Sequence, residues 1–574
     1  MNRPASLPDY RWHISPLTPA NICRDFSHIH PTLLQVLYNR GLATESQIQA
    51  FLEGHYLESR DPFLLPGMEK AVDRIGEAID NDETIVVYGD FDADGVTSTV
   101  LLTQALRGLG IDRAKAQPYI PDRVDEGYGL NDDALTSLRQ NTGADLVITV
   151  DCGIRAIAEV DHANAIGLDM IVTDHHSIGK QLPDALAVIN PKLPDSSYPE
   201  DMLAGVGIAF KLAQALRMAY PERARYCDED LLDLVAIGTV ADLAPLLKEN
   251  RLLVTEGLAT LNDASRVRPG VAALLKVAGV RLGNVSAETI GFGLGPRINA
   301  AGRLAHAYSA ARLLAVQNEL QAGQYAAELN ELNRRRQQVT RELGDYAEQL
   351  IDPNEPVLFA ADSDFLPGVV GLVASRLAEK YYRPAIVAEY GEHYSHGSCR
   401  SITEVHITEA LDSVADLLER YGGHAQAAGF TIANERLPEF QERITDYIRR
   451  ELAGKDLRPS VPVDAEIPLN EVDWALYEML QQLEPTGYAN ATPIFVSRNL
   501  QPIGMRAVGT DGSHLQFTVT DGTFGRRCIA FRQGAWANAM PDRVDIAYTI
   551  NLNEWRGQQN LQLMVKDVKE TEGP

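Results

Sequence analysis

The 574-residue chain is 45 % hydrophobic and 23 % charged, ordinary proportions for a globular protein of about three or four domains. Its 52 Lys and Arg against 79 Asp and Glu leave a formal charge of −27, which excludes a basic protein that coats nucleic acid by bulk charge but not a local basic channel or a metal-filled acidic site. Five widely spaced cysteines without a CxxC exclude a disulfide framework and a thiolate zinc site, and no apolar run approaches the ~20 residues of a membrane span, so a soluble, cytoplasmic protein without a membrane partner is expected.

The first ~50 residues are Pro-punctuated, with a helical patch at Thr32–Asn39. From Asp82 onward strands and helices alternate. TIVVY (84–88), DLVITV (145–150), DMIVT (169–173) and AVIN (187–190) are short continuous apolar runs, and a helix is predicted over Val96–Leu109. Such runs separated by helices predict a mostly parallel sheet covered on both faces. Ala322–Leu350 reads as one long connector helix, ended by IDPNEP (351–356). A second α/β unit follows: strands at 357–362, 384–390 and 394–402, and helices at Gly368–Tyr381 and Ile407–Tyr421. After LRPSVPVD (457–464), short runs such as HLQFTVTDG, RRCIAF, VDIAYTINL and NLQLMVKDV are separated by DG and RG turns, which predicts a small β barrel.

The acids carry the strongest chemical signal. TIVVY leads into GDFDADG, with Asp90, Asp92 and Asp94; LVITV leads into Asp151; MIVT leads into Asp174, His175 and His176. In a parallel sheet the ligand crevice lies beyond the carboxyl ends of the strands, so three strands deliver Asp and His to one rim. Asp242, after the apolar helical stretch Leu231–Ile237, is within reach of that rim. Clustered carboxylates raise one another's pKa unless cations neutralise them. Oxygen ligands with one or two imidazoles suit Mg²⁺ or Mn²⁺, and enough are present for two ions. Taken alone, Asp151 also reads as a helix N-cap, because VDCGIRAIAEV is helix-like.

YGDFDADG, VDCG, TDHH and VADLAPL, in this order, resemble the four metal-site motifs of the DHH phosphoesterase superfamily. GPRINAAGRL (295–304), GSCRSI (397–402) and YGGHAQAAGF (421–430) resemble signatures of its RecJ branch, and the likeness runs from about residue 50 to the C-terminal β segment. The resemblance implies an α/β multidomain fold: an N-terminal segment 1–50, a DHH catalytic domain 51–265, a linking region with the long helix 266–350, a DHHA1 domain 351–456 and an OB-fold barrel 457–574. It implies a single-strand-specific 5′→3′ exodeoxyribonuclease of DNA recombination and repair, releasing 5′-mononucleotides with two divalent ions, Mn²⁺ or Mg²⁺. Single-stranded DNA is the implied partner, a single-strand-binding protein and a helicase are further ones, and a monomer is expected.

Carried over by motif, Asp90, Asp92, Asp94, Asp151, His175 and Asp242 would hold metal, with Asp151 bridging. Asp174 would orient His175, and His176 would act near the scissile phosphate. Many DHH phosphoesterases carry a His four residues before the DxD; here that residue is Tyr88, and Asp90 is the candidate to compensate. Arg297, Asn299, Arg303, Ser398, Arg400, Ser401, Gly422, Gly423 and His424 are candidate substrate contacts, and in the barrel Trp555 is the candidate for stacking a base. Gly422 and Gly423 read equally as a helix C-cap after LLERY. Phe517 and Phe531 are expected to fill the barrel, and the Arg334–Arg336 cluster is either a solvated helix face or a DNA contact. Two other classes compete with the exonuclease: a hydrolase of short oligoribonucleotides, cyclic dinucleotides or pyrophosphate, which needs no barrel, and a non-catalytic scaffold, which needs none of the acids.

Overall fold

Ile85 and Val87 face one hydrophobic core and Val86 and Tyr88 another, and all four are fully buried. That two-sided burial is why this run is apolar throughout instead of alternating. The computed structural model describes residues 3–4, 7–54, 60–123, 126–555 and 557–571. In it the run is β1 (Ile85–Tyr88), followed by α1 (Ala93–Gly108), β2 (Ala116–Tyr119), β3 (Leu146–Val150), β4 (Asp169–Thr173) and β5 (Ala187–Ile189). All pairings are parallel, in the order β2-β1-β3-β4-β5. The order reverses between β1 and β3, the place where a doubly wound sheet opens a crevice at its carboxyl edge. Helices α2 (Gly205–Ala219) and α3 (Leu232–Ala241) pack on α1 and on each other.

Beyond them come α4 (Gly295–Leu304) and α5 (Glu319–Leu350), which pack together. The 32-residue α5 is roughly 48 Å long at 1.5 Å per residue. It starts three residues before the predicted Ala322, because the Asn318 side chain caps it by accepting from the Gln321 amide. A second sheet follows: β6 (Leu358–Asp362), α6 (Val370–Tyr381), β7 (Ala385–Tyr390), β8 (Tyr394–Arg400), β9 (Leu418–His424) and β10 (Ala427–Ala433). Its order is β9-β10-β8-β7-β6, with β6 and β7 parallel and the other pairs antiparallel.

The expected helix over Ile407–Tyr421 is overturned. It stops after Asp412, and Leu418–His424 is the edge strand β9. Leu411, Val414 and Leu417 do point inward, but through a short helix and a 3-10 turn; beyond them the chain hydrogen-bonds to β10, and that ladder outweighs helix propensity. Gly422 and Gly423 are therefore strand residues, not a helix C-cap. The predicted N-cap role of Asp151 also fails, because the following helix begins only at Ile157.

All these elements lie in one unit, Tyr56–Lys455 with Gly487–Ala489; the other comprises Met1–His55, Asp456–Thr486 and Asn490–Pro574. In the latter, Arg11–Ile14 pairs in parallel with β11 (Ser460–Val463), and Trp12 Nε1 donates to the buried Asp567 (2.8 Å). Strands β12 (Phe495–Val508), β13 (His514–Thr520), β14 (Gly525–Ala530), β15 (Val544–Trp555) and β16 (Gln558–Glu570) pair as β12-β13-β14-β16-β15, and β15 returns to β12, closing a five-stranded barrel. Phe517 is buried in it as expected, but Phe531 is half exposed: it follows the last residue of β14 and its ring meets His514 edge-on at 5.1 Å. Trp555 ends β15; its side chain, like Arg556, lies outside the described residues.

Candidate active site

The carboxyl ends of β1, β3 and β4 bring the predicted acids and histidines to one rim. Asp92 is the N-cap of α1, its Oδ1 accepting from the Asp94 and Gly95 amides (2.9 and 3.0 Å). Asp94, in the first turn, accepts from the Gly205 and Val206 amides at the start of α2 (2.7 and 2.8 Å). Asp151 follows β3 in a left-handed conformation (φ 63°), which turns its carboxylate into the crevice. Asp242 caps the carboxyl end of α3. Three sets have ligand atoms within 4.8 Å of one another: Asp90, Asp92 and Asp151; Asp94, His175 and Asp242; Asp151, His175 and His176.

Two observations say that these residues fit bound cations. Asp90 Oδ1, Asp151 Oδ1 and His175 Nε2 are buried without a hydrogen bond, although the last two lie 3.0 Å apart. Such orphaned atoms are costly unless something else engages them. Burial, and then the charge of neighbouring aspartates, pushes Asp90 up to about 8, Asp94 to about 7 and Asp242 to about 9. The same causes hold Asp151 well above the ordinary carboxylate range. Burial, and then the charge of His176, lowers His175 to about 3, so its imidazole is neutral and free to ligate.

These acids bind a proton more tightly folded than unfolded, where their pKa is near 3.8. Metal-free protein thus loses stability as pH climbs from about 4 to about 9. Thermal melts in EDTA are expected to fall from pH 5 to pH 9, and saturating Mn²⁺ should remove most of that fall. Melts in EDTA that do not move with pH would show that the carboxylates do not repel one another.

Asp174 contacts His176, not His175 as expected: its Oδ1 lies 2.8 Å from His176 Nδ1 and accepts the His176 amide, and its Oδ2 accepts the Ile154 amide. The reason is local, since accepting the backbone N–H of its own i+2 residue turns the carboxylate toward that ring. Burial opposes charge on His176, but the hydrogen bond and charge of Asp174 outweigh it and raise its pKa. Tyr88 takes no part. Its ring is fully buried and its hydroxyl donates to Gly129 O (3.0 Å), so it does not replace an imidazole.

The basic candidates divide. Arg303 donates to Gly368 O (3.0 Å); burial, then Arg123, Arg336 and Arg400, lower its pKa to about 9, so four guanidiniums share one region. Arg400 donates to Ser398 Oγ and to Cys399 O (2.9 and 2.8 Å). His424, at the end of β9, lies within electrostatic reach of His176. Gly422 is open to solvent on its Cβ side, whereas a Cβ on Gly423 would meet Ala427 O at 2.3 Å. Three candidates are engaged elsewhere. Arg297 donates to Asn330 and Gly293 O, tying α4 to α5. Asn299 accepts the Ala93 amide (2.7 Å) and so braces the start of α1. The Ser401 hydroxyl donates to Val405 O and holds the turn after β8.

Sequence reasoning missed four contributors. Arg123, in the loop after β2, stacks over Phe91 (4.1 Å to the ring centre), and its buried Nε has no hydrogen bond. It lines a cavity of about 480 Å³ with Asp90, Asp92, Asp151, His176 and Asp242. Tyr128, in the same loop, meets Phe91 and His176 edge-on. Lys192, beyond β5, donates to His175 O (2.5 Å); its place after a strand end was the available signal. Gly205 is the fourth. A Cβ there would sit 2.6 Å from Asp151 Cβ and 2.7 Å from its Oδ1. Gly205→Ala is therefore expected to displace Asp151 and lower the hydrolytic rate by about ten-fold or more, read as kcat at saturating metal; an unchanged kcat would mean that the carboxylate has slack.

Comparison with known proteins follows the same geography. Residues 84–239 match the DHH family, N-terminal domain, residues 354–450 the DHHA1 domain, and residues 463–567 the RecJ OB domain. The single-stranded-DNA-specific exonuclease RecJ of Bacillus subtilis is 38% identical over 552 residues, covering 95% of this chain and 69% of the relative. That of Escherichia coli is 34% identical over 563 residues, covering 94% and 96%. The crystal structure of Thermus thermophilus RecJ in complex with Mn²⁺ superposes with a TM-score of 0.84 at 31% identity, covering 98% of this chain and 80% of that one; the Mg²⁺ complex gives 0.78 at 30% identity, covering 98% and 79%.

Proposed function

The chain belongs to the RecJ family of single-stranded-DNA-specific exonucleases, and from that premise we propose that it degrades single-stranded DNA from the 5′ end, releasing 5′-mononucleotides. It is a metal-dependent nuclease whose cofactors are divalent cations, Mn²⁺ or Mg²⁺. The observation that carries the reading is the set of buried, unpartnered ligand atoms at the β1/β3 crevice, beside a group of arginines.

In this reading Asp90, Asp92 and Asp151 would hold one cation and Asp94, His175 and Asp242 the other, and Asp151, 3.0 Å from His175 Nε2, would serve both. Bound there, the cations supply positive charge at the scissile phosphate and lower the pKa of the attacking water. The chain's own residues do the rest. Asp174 holds His176 through Nδ1, which leaves Nε2–H to donate to the departing 3′ oxygen of the terminal nucleotide. Arg123, Arg303 and Arg400 hold the phosphates of the strand, with Ser398, Gly422, Gly423 and His424 beside them. Asn299, Arg297 and Ser401 position the elements that carry these groups. The barrel supplies further single-strand contacts, Trp555 among them.

We further infer a monomeric, cytoplasmic enzyme of recombination and repair that works beside a single-strand-binding protein and a helicase. No helix of the described residues is long and apolar enough to cross a membrane. The test is a long single strand labelled at its 5′ or its 3′ end, with a duplex and an EDTA lane as controls. Early mononucleotide release from the 5′ label, on single strands only and abolished by EDTA, is expected. Release from the 3′ label first would overturn the polarity, and no cleavage with either metal would overturn the activity.

A further inference from the structure

A second cavity, of about 720 Å³, lies at the carboxyl end of α1, away from the acids. It is bounded by the last turns of α1, the loop to β2, and the helix Tyr308–Ala315. Thr103, in its wall, stands nine residues beyond Asp94 on the same helix, which is roughly 14 Å at 1.5 Å per residue. The volume is that of a small-molecule site, typically ~300–1,000 Å³.

Its lining is unusual for this protein. Arg107, Arg113, Arg225 and Arg312 meet a single acid, Asp112, in a chain whose net charge is −27. Asp112 is itself engaged, its Oδ1 accepting the Ala114 amide (2.7 Å). Arg107 is fixed in place by two bonds to Ala116 O, while the Arg225 and Arg312 side chains make no ion pair among the described residues. The wall between them is apolar, with Val100, Ile111, Pro118 and Ala311. One buried polar atom has no partner. Thr103 is 3 % exposed, yet its Oγ1 makes no hydrogen bond. Thr97 and Thr99, on the same helix, return their hydroxyls to the carbonyls four residues back, as helical threonines commonly do.

We propose that this cavity binds a nucleoside phosphate. The arginines take the phosphate oxygens, the apolar wall takes the base or the sugar ring, and Thr103 Oγ1 gains the polar partner it lacks. An acidic peptide anchored by an apolar side chain is disfavoured, because that anchor would leave the Thr103 hydroxyl buried and unpaired. A released mononucleotide and a nucleoside polyphosphate share this chemistry, and separate titrations distinguish them.

The full-length protein in Mg²⁺ buffer is titrated calorimetrically with dAMP, with ATP and with inorganic phosphate. Saturable binding of at least one nucleotide is expected, tighter than that of phosphate. The Arg225→Glu/Arg312→Glu variant should weaken it ten-fold or more, and Thr103→Val several-fold. Single-strand hydrolysis without added nucleotide should be unchanged in the arginine variant, and nucleotide binding unchanged in Arg400→Ala. No saturation up to millimolar nucleotide would overturn the proposal. So would binding lost in Arg400→Ala but kept in the Arg225→Glu/Arg312→Glu variant, which would put the nucleotide in the catalytic crevice. Phosphate binding as tightly as either nucleotide would remove the nucleoside from the assignment. An acidic peptide binding where neither nucleotide does would give the cavity to a protein partner.

Discussion

Asp151→Asn is expected to lower single-strand hydrolysis by about a thousand-fold or more, equivalent to ~4 kcal/mol of barrier, with single-strand affinity nearly unchanged. The carboxylate belongs to the set with Asp90 and Asp92, and its Oδ1 lies 3.0 Å from Nε2 of His175 in the other, so its loss should weaken both cation positions at once. Asn is the informative replacement. Asp151 sits at φ 63°, which Asn tolerates and Ala does not, and the amide fills the same space beside Gly205. Because the buried Asp151 carboxylate is held well above its ordinary pKa, the variant should melt higher than the parent in EDTA and gain less from added Mn²⁺. Calorimetric melting with and without metal, alongside the kinetics, checks this. Activity within ten-fold of the parent would sink the shared-ligand assignment.

Arg123→Ala and Arg400→Ala should each reduce kcat/KM by roughly 10- to 100-fold, the loss of a charge-assisted phosphate bond worth about 1.5–3 kcal/mol. Arg123 is the sharper test, since its Nε is buried without a partner and its removal breaks no hydrogen bond among the described residues, only the stack on Phe91 and the attraction to Asp90 and Asp92. If each arginine meets one phosphate, the double variant should flatten the slope of log affinity against log salt by about 1.4, at ~0.7 per contact for a single strand. Binding measured between low and moderate salt reads the slope directly. An unchanged slope would show that these guanidiniums face no phosphate.

The central sheet and its acids were legible because two physical signals coincide there. Strands buried on both faces are short unbroken apolar runs, and carboxylates placed straight after such runs must end at one rim. The long helix was legible for the complementary reason, a polar stretch free of Gly and Pro. Edge strand β9 was not: it is exposed along most of its length, so no alternating pattern marks it, and only pairing with β10 makes it a strand. Strand β12 was missed for a similar cause, since most of its residues beyond Asn499 face solvent.

At the level of single residues the division is sharper. Residue type and position after a strand sufficed to nominate Asp90, Asp92, Asp94, Asp151, His175 and His176, and position after an apolar helical stretch to add Asp242, because repulsion among clustered carboxylates is a property of the set. That Asn299 braces α1 instead of facing a strand, that Arg123 reaches the acids from a loop, and that Gly205 must be small are all decided by approach across distant parts of the chain. The pairing of Arg11–Ile14 with β11, at the far end of the sequence, is of the same kind. Local sequence determines which segments bury both faces and where charge concentrates. Contacts between segments far apart in sequence leave no periodic trace in either one, so only the folded chain decides them.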